Sequence, residues 1–425
     1  MNKNSKMYDW MCDLFPINRS LTGKGVRETL EYLSRLIPDM SICSVKSGTK
    51  AFDWHIPDEW RINDAYIEDS KGNKIIDFKD NNLHVVGYSI AINEWLELDE
   101  LENYLHSLPK QPDAIPYVTS YYSRTWGFCL KHSQREKLKS GRYRVVIKSE
   151  IFCGEMNYAE VLIPGRESKE VLLSTYICHP SMANNELSGP IVTTALVQWL
   201  TQQKDLKYSY RILFIPETIG SIYYLSQHYK SLQKKIIAGY VITCVGDERC
   251  FSFVPSKNGN TLSDRAAKHV LSHISPDYKR YTFLDRGSDE RQYCSPGIDL
   301  PIASIMRSKY HEYPEYHTSL DNLDFVTQSG LEGSLNVYQK VIECIESNHI
   351  IQSTILCEPQ LGKRGLYPKF TTKDSMHDIE DMMNLIAYAD GSNSLLDVAD
   401  LIGAPLWKLK PLLDNLVQEK LVKKS

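Results

Sequence analysis

The 425-residue sequence has no surplus of positive charge, because 49 Lys and Arg stand against 53 Asp and Glu for a formal net charge of −4. That balance gives no overall basic field for a nucleic-acid backbone or an anionic membrane surface. No run of about 18 apolar residues occurs, which excludes a membrane-spanning helix. The ten cysteines are scattered without a Cys-x-x-Cys pair, so free buried thiols are expected rather than a disulfide framework. The start, Met1 to Met7, is polar and is followed by Asp9 and Asp13. That leaves no signal-peptide core, and a cytoplasmic location is expected. Internal repeats and low-complexity tracts are also missing. With 42% hydrophobic and 24% charged residues, the composition is that of a folded chain with a sizeable core.

The patterning predicts three regions. Amphipathic helices are expected over Met7–Phe15 and Gly23–Leu36. Short β-rich runs punctuated by Gly, Asn and Asp follow (Asp64–Glu68, Lys74–Phe78, Leu83–Tyr88), with a helical pattern at Leu96–Leu105 and a returning strand at Tyr143–Ser149. These predict a small β domain over 51–124, inserted into a larger domain made of 1–50 and 125–350. In the larger domain, near-continuous apolar runs at Val171–Ile177, Tyr210–Ile215, Gly239–Val245 and Leu300–Met306 alternate with helical patterns. Strands buried on both faces read this way, so the expected fold class is α/β with a doubly wound, mostly parallel sheet. Three helices with a Gly403-Ala404-Pro405 turn predict a winged-helix-like domain over 351–425.

Ligands in such sheets collect at the carboxyl ends of the strands. Read in order, the strand exits carry His179, Glu217, Asp247 and, after a Tyr- and His-rich stretch, His317. Imidazole nitrogen and carboxylate oxygen are the donors a catalytic zinc takes, with a further carboxylate acting as general base. Each residue alone has a plain structural reading, and Glu217 also suits the first turn of the helix that follows it. Ser188-Gly189-Pro190 reads as a helix N-cap and turn. Cys178, next to His179 on a strand, is expected to face the opposite side of the sheet.

The run Asn184-Asn185-Glu186-Leu187-Ser188-Gly189, with His179, Pro216-Glu217, Asp247, Ser288-Asp289 and Tyr316-His317-Thr318, resembles the co-catalytic zinc aminopeptidases. Cys178-His-Pro-Ser181, Pro216-Glu-Thr-Ile-Gly220 and Asp113-Ala-Ile-Pro-Tyr-Val-Thr-Ser-Tyr-Tyr122 resemble, more closely, a bacterial family of aminopeptidase-like proteins. That family carries an inserted β domain and a C-terminal winged helix and is met among surface-polysaccharide gene clusters. The resemblance implies a zinc-exopeptidase-like core in which Glu217 is the base and His179, Asp247, His317 and Asn185 are metal ligands. It also implies departures. Asn185 stands where the aminopeptidases have an aspartate bridging two zincs, and Thr218 where they have a glutamate ligand, so one zinc ion is expected rather than two.

Asp289 is expected on the rim of the site and Arg291 opposite a substrate anion. Arg307, Tyr310 and Tyr313 are expected to line the pocket. The tail from Thr372 onward holds six basic and nine acidic residues, the wrong sign for duplex binding, so a packing or homo-oligomer role is expected there. The expected activity is zinc-dependent hydrolysis of an amide bond in a small peptide or acylated amino sugar. The alternatives are a mono-zinc amide transferase or cyclase, and a non-catalytic binding or scaffold protein that has lost its metal.

Overall fold

The computed structural model describes residues 6–366 and 373–425, so residues 1–5 of the polar start lie outside the described residues. The chain divides into two units, residues 1–263 with 279–335 and residues 264–278 with 336–425.

In the larger unit eight strands form one mixed sheet. From one edge the order is Ser41–Lys46, Glu155–Ile163, Ser209–Ile215, Glu170–Tyr176, Ile236–Val241, Ile302–Met306, Ser252–Val254 and Lys279–Arg280. The four central strands run parallel, and antiparallel partners join the sheet on either side of them. Val171, Leu172 and Leu173, like Ile212, Leu213 and Phe214, are fully buried, as strands covered on both faces must be. From Glu170–Tyr176 the chain passes to its neighbour on one side, then crosses to Ile236–Val241 on the other. Loops leaving in opposite directions open a crevice at the strand's carboxyl end. Helix Ser188–Leu200 begins hard against this point. A Cβ at Gly189 would lie 2.3 Å from the Ile242 carbonyl oxygen and 2.5 Å from Thr175 Oγ1, a distance no side chain tolerates.

The inserted β region is a four-stranded antiparallel sheet ordered Lys74–Asp77, Glu59–Glu68, Arg142–Phe152 and Ile92–Glu97. It reaches Phe152, well past the expected boundary at 124. Its longest strand buries Tyr143, Val145 and Ile147 on alternate positions, the period of a half-buried strand. Leu83–Tyr88 is not a strand. The Asn81 side chain accepts from Leu83 N and starts a 3-10 turn at Asn82–His84. The expected helix at Leu96–Leu105 is reduced to Leu98–Leu101, with a Glu97/Glu100 capping box stopping the strand before it.

The smaller unit has a three-stranded antiparallel sheet ordered Asp390–Ser394, Ile350–Ser353 and Val422–Lys424, with helices Lys373–Ala387, Leu395–Ile402 and Leu406–Gln418. Ser394 and Asp397 form a capping box at one helix start, and Gly403 ends that helix at φ 69°. Residues 264–278, which take in most of helix Leu262–Ile274, belong to this unit, where Arg265 donates to Asp397 at 2.6 Å and His269 Nδ1 meets Asp400 at 2.7 Å.

Candidate active site

Strand Glu170–Tyr176 ends two residues before Cys178-His179-Pro180, and Ser181 then takes a left-handed backbone (φ 41°). Regular alternation has stopped by this point. Cys178 therefore turns toward the cavity rather than to the far face as expected, and receives the Glu217 N–H at 3.3 Å. Burial holds its thiol well above the ordinary range. His179 is fixed from behind. Its Nδ1 lies 3.0 Å from Glu186 Oε2, and its carbonyl accepts from Arg19 Nε at 3.0 Å. The buried Arg19 guanidinium is 3.3 Å from the other Glu186 oxygen. A carboxylate accepting from Nδ1 fixes the tautomer and leaves Nε2 with its lone pair. Burial, with Arg19 adding to it, lowers the His179 pKa to about 3, so the imidazole is neutral at physiological pH.

Asn185 lies in a single π-helical turn, Ala183–Leu187, a feature common at functional sites. Asp321 holds the turn, accepting from Asn184 N at 2.6 Å, Asn185 N at 2.9 Å and Tyr313 Oη at 2.9 Å. Ser188 is the first helical residue rather than the N-cap. Its hydroxyl donates to Asn184 O at 2.5 Å and accepts from Val245 N at 2.9 Å. The Asn185 amide nitrogen donates to Tyr176 Oη at 2.8 Å, whereas its buried Oδ1 has no hydrogen-bond partner among the described residues.

Glu217 follows strand Ser209–Ile215, just before Thr218, which is itself left-handed (φ 66°) and precedes helix Ile219–Lys235. Ser288 Oγ donates to Glu217 Oε1 at 2.8 Å, and Oε2 lies 3.7 Å from His179 Nε2. Burial, reinforced by the nearby Asp289, pushes the Glu217 carboxyl up to about 8. His317 also has a left-handed backbone (φ 54°), stacks on Tyr316 and carries a buried Nε2 with no partner among the described residues. Burial, then the His179 and His311 rings, lower its pKa to about 2. Four left-handed non-glycine residues around one site (Ser181, Thr218, Cys244 and His317) are strain held in place by the surrounding fold.

The His179 and His317 rings lie 5.4 Å apart between centroids. Tyr117 packs against both, at 5.3 and 5.0 Å. It comes from the segment leading out of the inserted region, where its N–H donates to His317 O at 2.8 Å and its hydroxyl meets Tyr121 Oη at 2.7 Å. A cavity of about 330 Å³ opens here, with His179, Glu217, His317, Arg291 and Tyr117 in its walls. Arg291 donates to Thr218 Oγ1 at 2.6 Å.

Six expected site residues are not among those lining this cavity, Asn185 and the five that follow. Asp247 accepts from Asn184 Nδ2 (2.9 Å), Arg249 N (2.8 Å), Ser308 N (3.1 Å) and Ser308 Oγ (3.0 Å). Its lone pairs are spent on fixing loops, so it is not positioned as the ligand expected. Arg307 lies over the Phe251 ring at 3.7 Å and donates to Ser334 Oγ. Tyr310 donates to Glu290, and Tyr313 to Asp321. Asp289 is buried and accepts from Thr218 N at 2.7 Å and Ser221 Oγ at 2.8 Å; it shapes the turn that presents Glu217. Sequence reasoning missed Arg19, Glu186, Asp321 and Tyr117 as parts of the site, whereas Ser288 was expected with Asp289 on its rim. Glu186 left a faint trace as an acid seven residues after a histidine on the same loop, and Arg19, 160 positions away, left none.

Among the described residues, Cys178, His179 and Glu186 are the one group of ligand-type side chains gathered within 4.8 Å. That group surrounds the Nδ1 side of His179, where Glu186 is already engaged. His317 Nε2 and Asn185 Oδ1 lie outside that group and are buried without hydrogen-bond partners among the described residues. Imidazole nitrogen and amide oxygen are donor types that a divalent ion accepts. Positions 185 and 218 supply an amide and a hydroxyl rather than carboxylates.

Residues 8–348 match the family described as "Domain of unknown function (DUF4910)", and residues 349–424 match the winged helix-turn-helix family. A Clostridium acetobutylicum protein is 45% identical over 420 residues, covering 98% of this chain and 96% of that protein; its name assigns it, provisionally, to polysaccharide biosynthesis with an aminopeptidase-like domain. A crystal structure from the same organism, described provisionally as a peptidase, agrees with a TM-score of 0.93 at 43% identity, over 99% of this chain and 96% of that one. A zinc aminopeptidase from Bacillus subtilis shares the fold with a TM-score of 0.59 at 10% identity, over 80% and 94% of the two chains. The aminopeptidase-like α/β fold and the C-terminal winged helix expected from the sequence are both present.

Proposed function

We propose, from the premise that this chain belongs to the DUF4910 family, that it is a metal-dependent hydrolase of an amide bond in a small peptide or an acylated amino sugar. The observation carrying this reading is the facing of Glu217 Oε2 and His179 Nε2 at 3.7 Å, within one cavity that His317 shares. His179, His317 and Asn185 would hold the ion. When bound, a divalent cation supplies charge that polarises the amide carbonyl and acidifies a neighbouring water.

Glu217 is the base. Ser288 occupies its Oε1, so Oε2 is the atom left to take a proton from water and pass it to the leaving nitrogen. Water's oxygen joins the acyl carbon, the C–N bond breaks and the amine leaves protonated. Glu186 and Arg19 keep His179 in one tautomer, and Tyr117 closes the cavity above both imidazoles. Arg291 lies on the wall where a substrate anion would meet two donors. The aminopeptidase-like fold and the C. acetobutylicum relative's name support the reaction class and a saccharide-bearing substrate.

Elemental analysis of protein purified without chelator tests the metal, with about one zinc, manganese or cobalt per chain expected. Glu217→Gln is expected to abolish turnover and keep the metal, whereas His179→Ala loses the metal. Full turnover in Glu217→Gln would overturn Glu217 as the base, and no metal in the parent protein would overturn the reading in favour of a scaffold.

A further inference from the structure

Next to the catalytic cavity lies a larger cleft of about 610 Å³, and Trp54, Tyr121 and Tyr122 stand in the walls of both. Its volume is in the range of small-molecule sites, about 300–1,000 Å³. Trp54 sits on the hairpin formed by Lys50–Ala51 and Trp54–His55. Tyr122 ends the segment that also supplies Tyr117 to the active site. The two rings stand 5.7 Å apart at 64°, and they are 38% and 65% exposed. Large aromatic rings left open to solvent at the mouth of a cleft serve recognition more often than packing.

The remaining walls narrow the ligand. Asp53, His55, Asp58 and Arg124 surround the rings, and Arg124 lies 3.8 Å from Asp58. Two acids balanced by one guanidinium and an imidazole give no net positive field, so the cleft does not suit a phosphate or a nucleotide. A pyranose suits it. Its C–H faces pack on indole and phenol rings, and its hydroxyls donate to carboxylates and accept from Arg or His. A chain of aromatics then leads inward. Trp60 stacks on Tyr88, Tyr88 packs edge-on to Tyr121 at 5.3 Å, and the Tyr121 hydroxyl meets Tyr117 between the two histidines.

We infer that this cleft is a saccharide subsite, so that the substrate is an oligosaccharide of at least two rings. One acylated amino-sugar ring occupies the catalytic cavity and the next ring packs in the corner between Trp54 and Tyr122. The assignment of the first ring rests on the hydrolase reading above. Binding in the cleft does not require turnover and is measured separately.

The test titrates N-acetylglucosamine and its β-1,4-linked dimer and trimer into the full chain and into Glu217→Gln, by calorimetry and saturation-transfer NMR. The dimer and trimer are expected to bind at least about tenfold more tightly than the monomer, with saturation on the second ring's C–H protons. Trp54→Ala and Tyr122→Ala are each expected to weaken dimer binding about tenfold and monomer binding by clearly less, since both rings also stand in the wall of the catalytic cavity. Trp54→Phe, which keeps a flat ring, should retain part of the gain. The subsite is overturned if affinity does not rise with length, if the gain survives both truncations, or if no saccharide binds. Tight dimer binding without acetate release leaves the subsite standing and removes hydrolysis of this sugar. Acetate release with no dependence on length does the reverse.

Discussion

A single strand, Glu170–Tyr176, shows how differently the two ends of one sheet are built. At its start Glu170 is buried, with Arg211 Nε at 2.6 Å, Arg211 Nη2 at 3.2 Å and Lys235 Nζ at 2.9 Å. Burial alone would raise its pKa, but the two cations outweigh it and hold the carboxyl below its ordinary value. Past the strand's other end the hydrogen bonds and the nearby Arg291 do not outweigh burial of the carboxyls. Burial pushes Glu217 up to about 8, and Asp289 and Asp321 up to about 6. His317 Nε2, Asn185 Oδ1 and Asp289 Oδ2 are buried without partners among the described residues. Buried polar groups are ordinarily satisfied. One end spends its charges on stability, and the other keeps donors and acceptors free for something the protein alone does not supply.

The contrast is open to direct attack by substitution. Glu217→Gln should lower kcat by about 10²–10⁴-fold, the usual worth of a general base, without lowering the thermal midpoint of the metal-free protein. A loss of both would erase the distinction between the two ends. Glu170→Ala should do the opposite, destabilising the chain by about 2 kcal/mol because Arg211 and Lys235 lose the buried carboxylate they share. Denaturant unfolding measures this, and kcat per folded molecule should be unchanged. Asp321→Asn should weaken metal binding about 10–100-fold, the usual cost of disturbing a group that orients a ligand, as read by competition with a chromogenic chelator. The smallest effect is on pH dependence. A carboxyl whose folded pKa lies below its ordinary 4.5 contributes stability above that pH and loses it as pH falls through the folded value. Thermal midpoints should therefore fall more steeply with acid in the parent protein than in Glu170→Gln.

Much of the fold was legible because burial on both faces leaves continuous apolar runs, and all four expected central strands formed. The small β region was harder to bound. Arg142–Phe152, foreseen as a returning strand over Tyr143–Ser149, pairs with Glu59–Glu68 some 80 residues earlier, a separation that no local pattern encodes. Within the site, His179, Glu217 and His317 were legible because strand exits converge by topology alone. Asp247 misled for the same reason: it follows a strand, yet Asn184, Arg249 and Ser308 claim its oxygens. Tyr310 and Tyr313 misled because a Tyr near a histidine reads equally well as lining or as support.

The amino-acid order by itself determined the strand and helix periodicities, the charge balance and the amide at position 185, since these depend only on which side chains follow one another. Tertiary structure decided the environment of each donor. It brought Arg19 and Glu186 behind His179, left two ligand atoms without partners and set Trp54 against Tyr122. Desolvation and hydrogen-bond satisfaction depend on neighbours in space, and those neighbours are scattered along the chain.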